Sequence, residues 1–92
     1  MELEWDEAKN TANVRKHGVS FEEAAAVFGD PLSDTFDDPD HSAEENRFIT
    51  IGTSDRGRLL MVAHTDRQDR VRVISARELT KQERRNYEKG NL

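Results

Sequence analysis

The chain has 92 residues, of which 34% are hydrophobic and 36% are charged, so it has room for one small core and no second domain. It contains no cysteine, which excludes a disulfide framework and Cys-ligated zinc and is typical of a reducing cytoplasm. The start, MELEWDEAKN, lacks the apolar segment of a signal peptide, and no apolar run approaches the ~20 residues that span a bilayer. We therefore expect a single cytoplasmic domain over residues 1–92 that does not involve a membrane.

The net charge of −5 conceals a large difference between the two halves of the chain. Residues 1–46 have three Lys or Arg against 13 Asp or Glu, whereas residues 47–92 have 11 against six. A basic half of this kind favours a polyanionic partner. On charge alone, mutual neutralisation of the two halves within the fold explains the pattern equally well.

The first residues predict a short strand and a helix. Leu3 and Trp5 alternate with acidic residues, which is a strand pattern. Asp6 then has the position of a helix N-cap, and Gly18 has that of a C-terminal stop. The helix between them has a weak apolar stripe made of Ala8, Ala12 and Val14.

A second helix follows directly. Residues 20–23, Ser-Phe-Glu-Glu, have the pattern of a capping box with Ser20 as N-cap and Glu23 at the N3 position. The apolar positions at helical spacing are Phe21, Ala24, Ala25 and Phe28. Gly29-Asp30-Pro31 ends the helix, which we expect to pack one face into the core.

The rest of the chain predicts a meander of four strands and a final helix. The strands are expected at residues 32–36, 48–51, 59–63 and 71–74, separated by turn-like segments. The run 59–63 is apolar on both faces and should be the central strand. Thr80 and Glu83 form a second capping box, and Gly90 ends the helix. The fold is therefore predicted to be α+β, with a small antiparallel sheet of a short N-terminal strand plus the four-stranded meander. Two N-terminal helices pack against it and a C-terminal helix follows.

Strand alternation decides which basic side chains can act together. Arg70 and Arg72 share one face of the last strand, and Arg77 lies on the opposite face with the valines unless a bulge intervenes. We expect His64, at the end of the central strand, to meet Arg77 and the turn residue Arg67 at one rim. The alternatives are that the arginines form a solvated face and that His64 is structural.

Two other polar features have simpler explanations. His17 precedes Gly18 and suits a helix C-terminus, where an imidazolium interacts favourably with the helix dipole. The acidic loop at residues 37–41 resembles a metal site only superficially, and its proline is typical of a turn. We expect no metal and no other cofactor.

Arginine and histidine together are sufficient for cleavage of RNA. A guanidinium stays charged and can bind a phosphate through two hydrogen bonds. RNA provides its own nucleophile, the 2′-hydroxyl, so the protein must orient that group, accept its proton and stabilise the negative charge that develops on the phosphate. A histidine can transfer protons near neutral pH.

Several strings of the sequence resemble a known family along nearly the whole chain. They are LEWD at residues 3–6, NVRKHGVSFEEA at 13–24, VFGDP at 27–31, RFITIG at 47–52, RVISAR at 72–77 and ERRNYE at 83–88. In this order they resemble the BrnT toxins. The resemblance implies a type II toxin–antitoxin toxin of RelE-like fold, a ribonuclease that arrests translation. It also implies neutralisation by a BrnA-type antitoxin with a DNA-binding domain, so that DNA is contacted only through the antitoxin complex.

The leading hypothesis from the sequence is therefore a metal-independent endoribonuclease toxin. Its predicted catalytic residues are His64, which would move the proton, and Arg47, Arg67 and Arg77, which would hold the phosphates. The predicted RNA contacts at the rim are Lys16, Arg58, Arg84 and Tyr87. The alternative is a non-catalytic module that acts mainly as the antitoxin's partner in a repressor complex. A direct DNA-binding protein is disfavoured by the net charge of −5 and by the lack of a helix-turn-helix pattern.

Overall fold

A computed structural model describes residues 2–38 and 46–90 and contains five strands and three helices. In chain order the elements are β1 (Glu2–Glu4), α1 (Glu7–His17), α2 (Phe21–Val27), β2 (Asp34–Asp37), β3 (Arg47–Thr53), β4 (Leu59–Arg67), β5 (Arg70–Glu78) and α3 (Lys81–Glu88). This confirms the predicted α+β class. None of the helices in this part of the chain is long and apolar enough to cross a membrane.

The strands form one sheet in the order β1-β5-β4-β3-β2. The four strands β2 to β5 form the predicted antiparallel meander, and β4 is the central strand, as expected. The prediction of a wholly antiparallel sheet is wrong for β1, which pairs in parallel with β5 with Leu3 opposite Val71. A parallel neighbour needs a long connection, and the chain between β1 and β5 supplies one.

The helix α1 does not pack through its apolar residues. Ala8, Ala12 and Val14 are exposed, so the predicted apolar stripe is wrong, and the buried positions are Asn10 and Asn13. The amide of Asn13 donates from Nδ2 to the carbonyl of Ala76 at 2.8 Å and accepts from the N–H of Ala76 at 3.2 Å. The α1 helix thus lies along the edge of β5 beyond the end of β1, and Asn13 satisfies edge groups that would otherwise lack a partner.

The helix α2 supplies the apolar side of the core. Ser20 is its N-cap and accepts from the N–H of Glu23 at 3.0 Å. Phe21, Ala24 and Val27 are fully buried. They pack against the sheet residues Leu60, Val62, Val73 and Ala76, with Val19 completing the cluster. Burial of each large apolar side chain of this kind contributes about 1.5–3 kcal/mol.

A β-bulge divides β5. Ala63 pairs with Ser75 and His64 pairs with Val73, so Ile74 is an extra residue that has no partner in β4. The bulge reverses the alternation, and both Val73 and Ala76 face α2. We call that side of the sheet the helix face and the opposite side the outer face. The helix α3 lies over one end of the outer face, where its Tyr87 donates to Asp34 Oδ2 at 3.0 Å.

Candidate functional site

The bulge brings the arginines of β5 onto the same side of the sheet. Arg77 pairs with Met61 and Arg72 pairs with Thr65, and all four residues belong to the outer face. Arg70 is two residues from Arg72 and shares this face. The placement of Arg77 apart from Arg70 and Arg72, which assumed regular alternation, is therefore wrong.

A groove of about 330 Å³ opens on the outer face near Arg77. It is lined by His17, Asp38, Arg47, Ile49, Met61, Ala63, Ile74, Ser75 and Arg77. The strands β3, β4 and β5 supply its apolar lining residues, and its polar lining combines the basic side chains and the Ser75 hydroxyl with the buried carboxyl group of Asp38. The groove thus combines a surface suited to a ribose or base with groups suited to a phosphate.

His17 enters the groove from the end of α1. It lies four residues after Asn13, so both side chains are on the same side of the helix, one turn apart. Because Asn13 is fixed to Ala76, His17 comes to lie beside Ser75 and Arg77 of the same strand. The sequence interpretation of His17 as a dipole-stabilising residue missed this position. The Asn-x-x-x-His spacing can be read from the sequence. The sequence does not show that Asn13 binds the edge of β5 and thereby places His17 in the groove.

Arg77 is held by α3. Its Nη1 donates to Glu83 Oε1 at 2.7 Å and its Nη2 donates to Glu83 Oε2 at 2.9 Å, which is a bidentate ion pair. The hydrogen bonds from Arg77 lower the pKa of Glu83 to about 2, and the carboxylate in turn raises the pKa of Arg77. The Arg77 side chain is 36% exposed. It is therefore a fixed cation that a ligand in the groove can still reach.

Arg47 begins β3 on the outer face. It pairs with Thr65, which in turn pairs with Arg72, so Arg47 and the arginines of β5 lie on opposite sides of β4. The carbonyl of Arg47 accepts from the N–H of Asp38 at 2.9 Å, which joins the end of β2 to the start of β3. Arg47 and Arg77 are thus two of the predicted catalytic residues that the fold brings to one groove.

His64 is not at a rim, and its predicted meeting with Arg77 and Arg67 is wrong. It is 2% exposed on the helix face, with Phe28 edge-on to its ring and Phe48 stacked on it. Its Nε2 is 2.8 Å from Thr50 Oγ1 and its Nδ1 is 2.9 Å from Asp66 Oδ1. Both ring nitrogens are engaged, so His64 has the environment of a core histidine.

Arg67 lies at the far end of the sheet. It pairs with Arg70 beside the β4–β5 turn, six residues along β4 from Met61, which at ~3.3 Å per residue is roughly 20 Å away. There it lines an open cavity of about 550 Å³ with Glu4, Gln68, Arg70 and Arg72. Arg67 is therefore separate from the groove that contains Arg77.

The four predicted RNA contacts divide into two kinds. Lys16 and Arg84 are exposed on α1 and α3. Arg58 and Tyr87 are engaged within the fold: Arg58 pairs with Glu23, and Tyr87 donates to Asp34 at 3.0 Å. Burial raises the pKa of the Tyr87 hydroxyl. Lys16 and Arg84 are therefore the more accessible of the four.

The structure described gives no sign of a metal-binding cluster of acidic and histidine side chains. Within residues 2–38 and 46–90, no group of three or more His, Asp or Glu side chains is placed to hold a metal ion. Residues 39–41 of the acidic loop lie outside the described residues.

Comparisons with known proteins identify a family through a family model and a similar fold through a solved structure. A family model described as the ribonuclease toxin BrnT of type II toxin–antitoxin systems matches residues 5–83. The crystal structure of the Brucella abortus ribonuclease toxin BrnT superposes with a TM-score of 0.70 at 24% identity, covering 88% of this chain and 99% of that one. No curated protein matches the chain in sequence. The residues matched by the family model include every residue that lines the groove.

Proposed function

This chain belongs to the BrnT family of ribonuclease toxins of type II toxin–antitoxin systems, and from this premise we propose that it cleaves RNA in the groove on its outer face. The observation that carries the proposal is that His17, Arg47 and Arg77 line one groove. These residue types supply a proton-transfer group and two permanent cations. They are what a reaction with the 2′-hydroxyl of RNA as nucleophile needs.

The arginines act on the phosphate. Arg77 and Arg47 line the groove from strands on either side of β4, and we propose that between them they bind the scissile and flanking phosphates. As the 2′-oxygen attacks, negative charge grows on the non-bridging oxygens, and cations already in position stabilise that charge without reorganising. Since guanidinium groups supply fixed positive charge without a cofactor, we propose a mechanism that does not require a metal ion.

The proton transfer is assigned to His17 in place of His64. As a neutral imidazole, His17 accepts the proton of the 2′-hydroxyl; as an imidazolium, it gives a proton to the departing 5′-oxygen. His17 is partly exposed and lines the groove, whereas His64 is buried on the opposite face. The Ser75 hydroxyl lines the same groove and is a candidate to orient the ribose.

We propose that the RNA chain continues from the groove along β5. Arg72 and Arg70 follow on the same face toward the β4–β5 turn, where Arg67 also lies. Glu4 accepts from Arg72 at 3.0 Å and from Arg70 at 3.3 Å, which holds both guanidinium groups beside one carboxylate. Such a row suits the repeated phosphates of a single strand. Lys16 and Arg84 are retained as contacts at the rim.

The biological setting follows from the family. We propose a RelE-like endoribonuclease that acts in the cytoplasm and arrests translation. A BrnA-type antitoxin would neutralise it, and the complex would contact DNA through the antitoxin. No cofactor is required for this activity.

The test is cleavage of a short RNA oligonucleotide by purified protein in the presence of EDTA. Attack by the 2′-hydroxyl predicts products that end in a 2′,3′-cyclic phosphate and a 5′-hydroxyl. The matched substrate has a 2′-O-methyl group at the cleaved position and should stay intact. Intact RNA at a molar excess of protein, or cleavage of the methylated substrate, would contradict the proposal.

A non-catalytic partner of the antitoxin is the second candidate. The observation that favours it is the bidentate pair between Arg77 and Glu83. The carboxylate of Glu83 already binds the guanidinium that the ribonuclease would use to bind a phosphate. The two candidate functions predict different effects on cell growth when the protein is expressed without an antitoxin. Growth arrest supports the ribonuclease, and unimpaired growth of cells that contain folded protein supports the binding module.

A further inference from the structure

A buried carboxylate lies at the centre of a polar cluster behind the groove. Glu23 of α2 is 5% exposed. Its Oε2 accepts from Arg58 Nε at 2.9 Å and from Ser54 Oγ at 2.7 Å, and its Oε1 accepts from Arg58 Nη2. We call Glu23, Ser54 and Arg58 the Glu23 cluster. The hydrogen bonds from Arg58 hold the pKa of Glu23 below its usual value, so the pair stays ionised.

This cluster replaces the expected capping box at the start of α2. The Ser20 side chain caps the helix as predicted, but the carboxylate of Glu23 goes to Arg58. A Glu at the N3 position usually returns to the backbone of its own cap. Here the longer-range contact connects α2 to the turn between β3 and β4.

Arg58 extends from the cluster to both elements that carry the proposed catalytic groups. Its Nη2 donates to the carbonyl of Gly18 at 3.0 Å, and its Nη1 donates to Glu78 Oε2 at 3.5 Å. Gly18 directly follows His17 at the end of α1, and Glu78 directly follows Arg77 in β5. One guanidinium therefore bridges the neighbour of His17 and the neighbour of Arg77.

We propose that Arg58 is a positioning residue that sets the distance between the imidazole of His17 and the guanidinium of Arg77. This inference rests on the ribonuclease proposed above. The last turn of a helix has carbonyls without intrahelical donors, and Gly18 continues the chain in a left-handed conformation with φ of 70°. Asn13 anchors α1 one turn earlier, and Arg58 anchors the end from which His17 enters the groove.

The simultaneous contacts of Arg58 with Gly18 and Glu78 depend on the planar, forked shape of the guanidinium group. All three nitrogens of Arg58 are engaged: Nε and Nη2 contact Glu23, Nη2 also contacts Gly18, and Nη1 contacts Glu78. A lysine ammonium at the same place is a single point that cannot span these partners. A displacement of about 1 Å at a catalytic group can cost on the order of 100-fold in rate. Arg58→Lys, which keeps the charge, should therefore reduce turnover more than it weakens substrate binding.

The experiment compares Arg58→Lys with Arg56→Lys, the same substitution at an exposed residue of the same turn. For each folded protein, kcat and KM are measured on a short RNA oligonucleotide, and the His17 ring is followed by NMR through a pH titration. Arg58→Lys should lower kcat by about 10- to 100-fold, leave KM within about threefold, and shift the His17 resonances. Arg56→Lys should match the wild type in all three measurements.

Two results overturn the inference: a kcat for Arg58→Lys that equals the wild-type value, or His17 resonances that do not change. If the wild-type protein does not cleave RNA, the proposed function fails, and the His17 resonances still decide whether Arg58 positions that ring. If Arg58→Lys does not fold, Glu78→Ala decides, since it removes the carboxylate that Arg58 Nη1 contacts and leaves the buried pair with Glu23 intact. A lower kcat at unchanged KM then supports the inference, and a wild-type kcat overturns it.

Discussion

Arg77 and Glu83 form a bidentate ion pair across the junction between β5 and α3, with hydrogen bonds of 2.7 and 2.9 Å. The same carboxylate accepts from the backbone N–H of Thr80 at 2.9 Å, which completes the predicted capping box of α3. Glu83 thus both caps the N-terminus of α3 and holds Arg77 of the groove in place. Because none of the residues of α3 is fully buried, this pair is a main attachment of the helix to the sheet.

Glu83→Gln should change how stability depends on pH. Folding lowers the pKa of Glu83 from 4.5 to about 2, so its stabilising contribution is complete above about pH 4.5 and is lost as the pH falls toward 2. Since the pair is partly exposed, we expect the substitution to cost about 1 kcal/mol at neutral pH. Urea unfolding between pH 2.5 and 7 measures this. The variant should show a smaller loss of stability on acidification than the wild type.

The control for this prediction is Glu88→Gln, which removes an exposed carboxylate from the same helix. Its pH dependence should follow that of the wild type. An unchanged curve for Glu83→Gln, or an equal change in both variants, would show that the pair with Arg77 does not stabilise the fold.

His17→Ala should abolish most of the turnover. Removal of a group that transfers a proton in the transition state lowers kcat by about 100- to 10,000-fold, while KM changes little because the arginines still bind the phosphate. The measurement is single-turnover cleavage of an RNA oligonucleotide over a range of pH. Arg15→Ala, an exposed position on the same helix, is the matched control and should retain wild-type kcat. Activity of His17→Ala within threefold of the wild type would exclude His17 as the acid or base.

His64→Gln should act on stability and leave the chemistry unchanged. The substitution disrupts a buried side chain whose two nitrogens contact Thr50 and Asp66, and we expect a cost of about 2–3 kcal/mol in the free energy of unfolding. Turnover per folded molecule should stay within threefold of the wild type at a temperature where both are folded. Denaturant unfolding and cleavage rates on the same samples measure the two effects. A loss of turnover without a loss of stability would restore His64 as a catalytic candidate.

Local patterns in the sequence predicted the features that depend on local contacts. The N-caps Ser20 and Thr80 and the central position of β4 follow from short-range spacing. Ser20 and Glu23 show the limit of prediction from local patterns. The serine caps α2 as predicted, whereas the carboxylate is drawn to Arg58, 35 residues later, by a contact that only the folded sheet creates.

Which residues line the groove depends on features that the alternation of side chains along a strand cannot show. The extra residue Ile74 reverses the face of Arg77, and nothing in the string RVISAR distinguishes a bulge from a regular strand. His64 looked like a strand end, but Phe28 and Phe48 enclose it because of where α2 ends and how β3 pairs. The sequence thus predicted Arg47 and Arg77, which line the groove, together with His64 and Arg67, which do not, and it did not place His17 there.

Arg72→Gln should weaken binding of long substrates selectively. If the RNA follows β5, loss of this cation raises KM for oligonucleotides that extend beyond the groove by about three- to tenfold, with kcat unchanged. The slope of log affinity against log salt should decrease by about 0.7, the value for one phosphate contact with a single strand. A dinucleotide, which occupies the groove alone, should be cleaved as by the wild type.

The control for this prediction is Arg85→Gln, which removes an exposed cation from α3. It should leave both substrates unaffected. Equal effects of Arg72→Gln on the dinucleotide and the long oligonucleotide would show that the substrate does not extend along β5.

Asn13→Ala should destabilise the fold by about 2–4 kcal/mol, because it leaves the N–H and carbonyl of Ala76 without their side-chain partners at a buried strand edge. Alanine favours the helix itself, so any loss must come from the hydrogen bonds of Asn13, which go to Ala76 of β5 and to the carbonyl of Val19. Denaturant unfolding gives the change in free energy, and hydrogen exchange at the amide of Ala76 should become faster by a matching factor. Thr11→Ala, on an exposed position of α1, should be neutral or slightly stabilising. If Asn13→Ala leaves both the stability and the exchange of Ala76 unchanged, α1 is held at the sheet edge by other contacts.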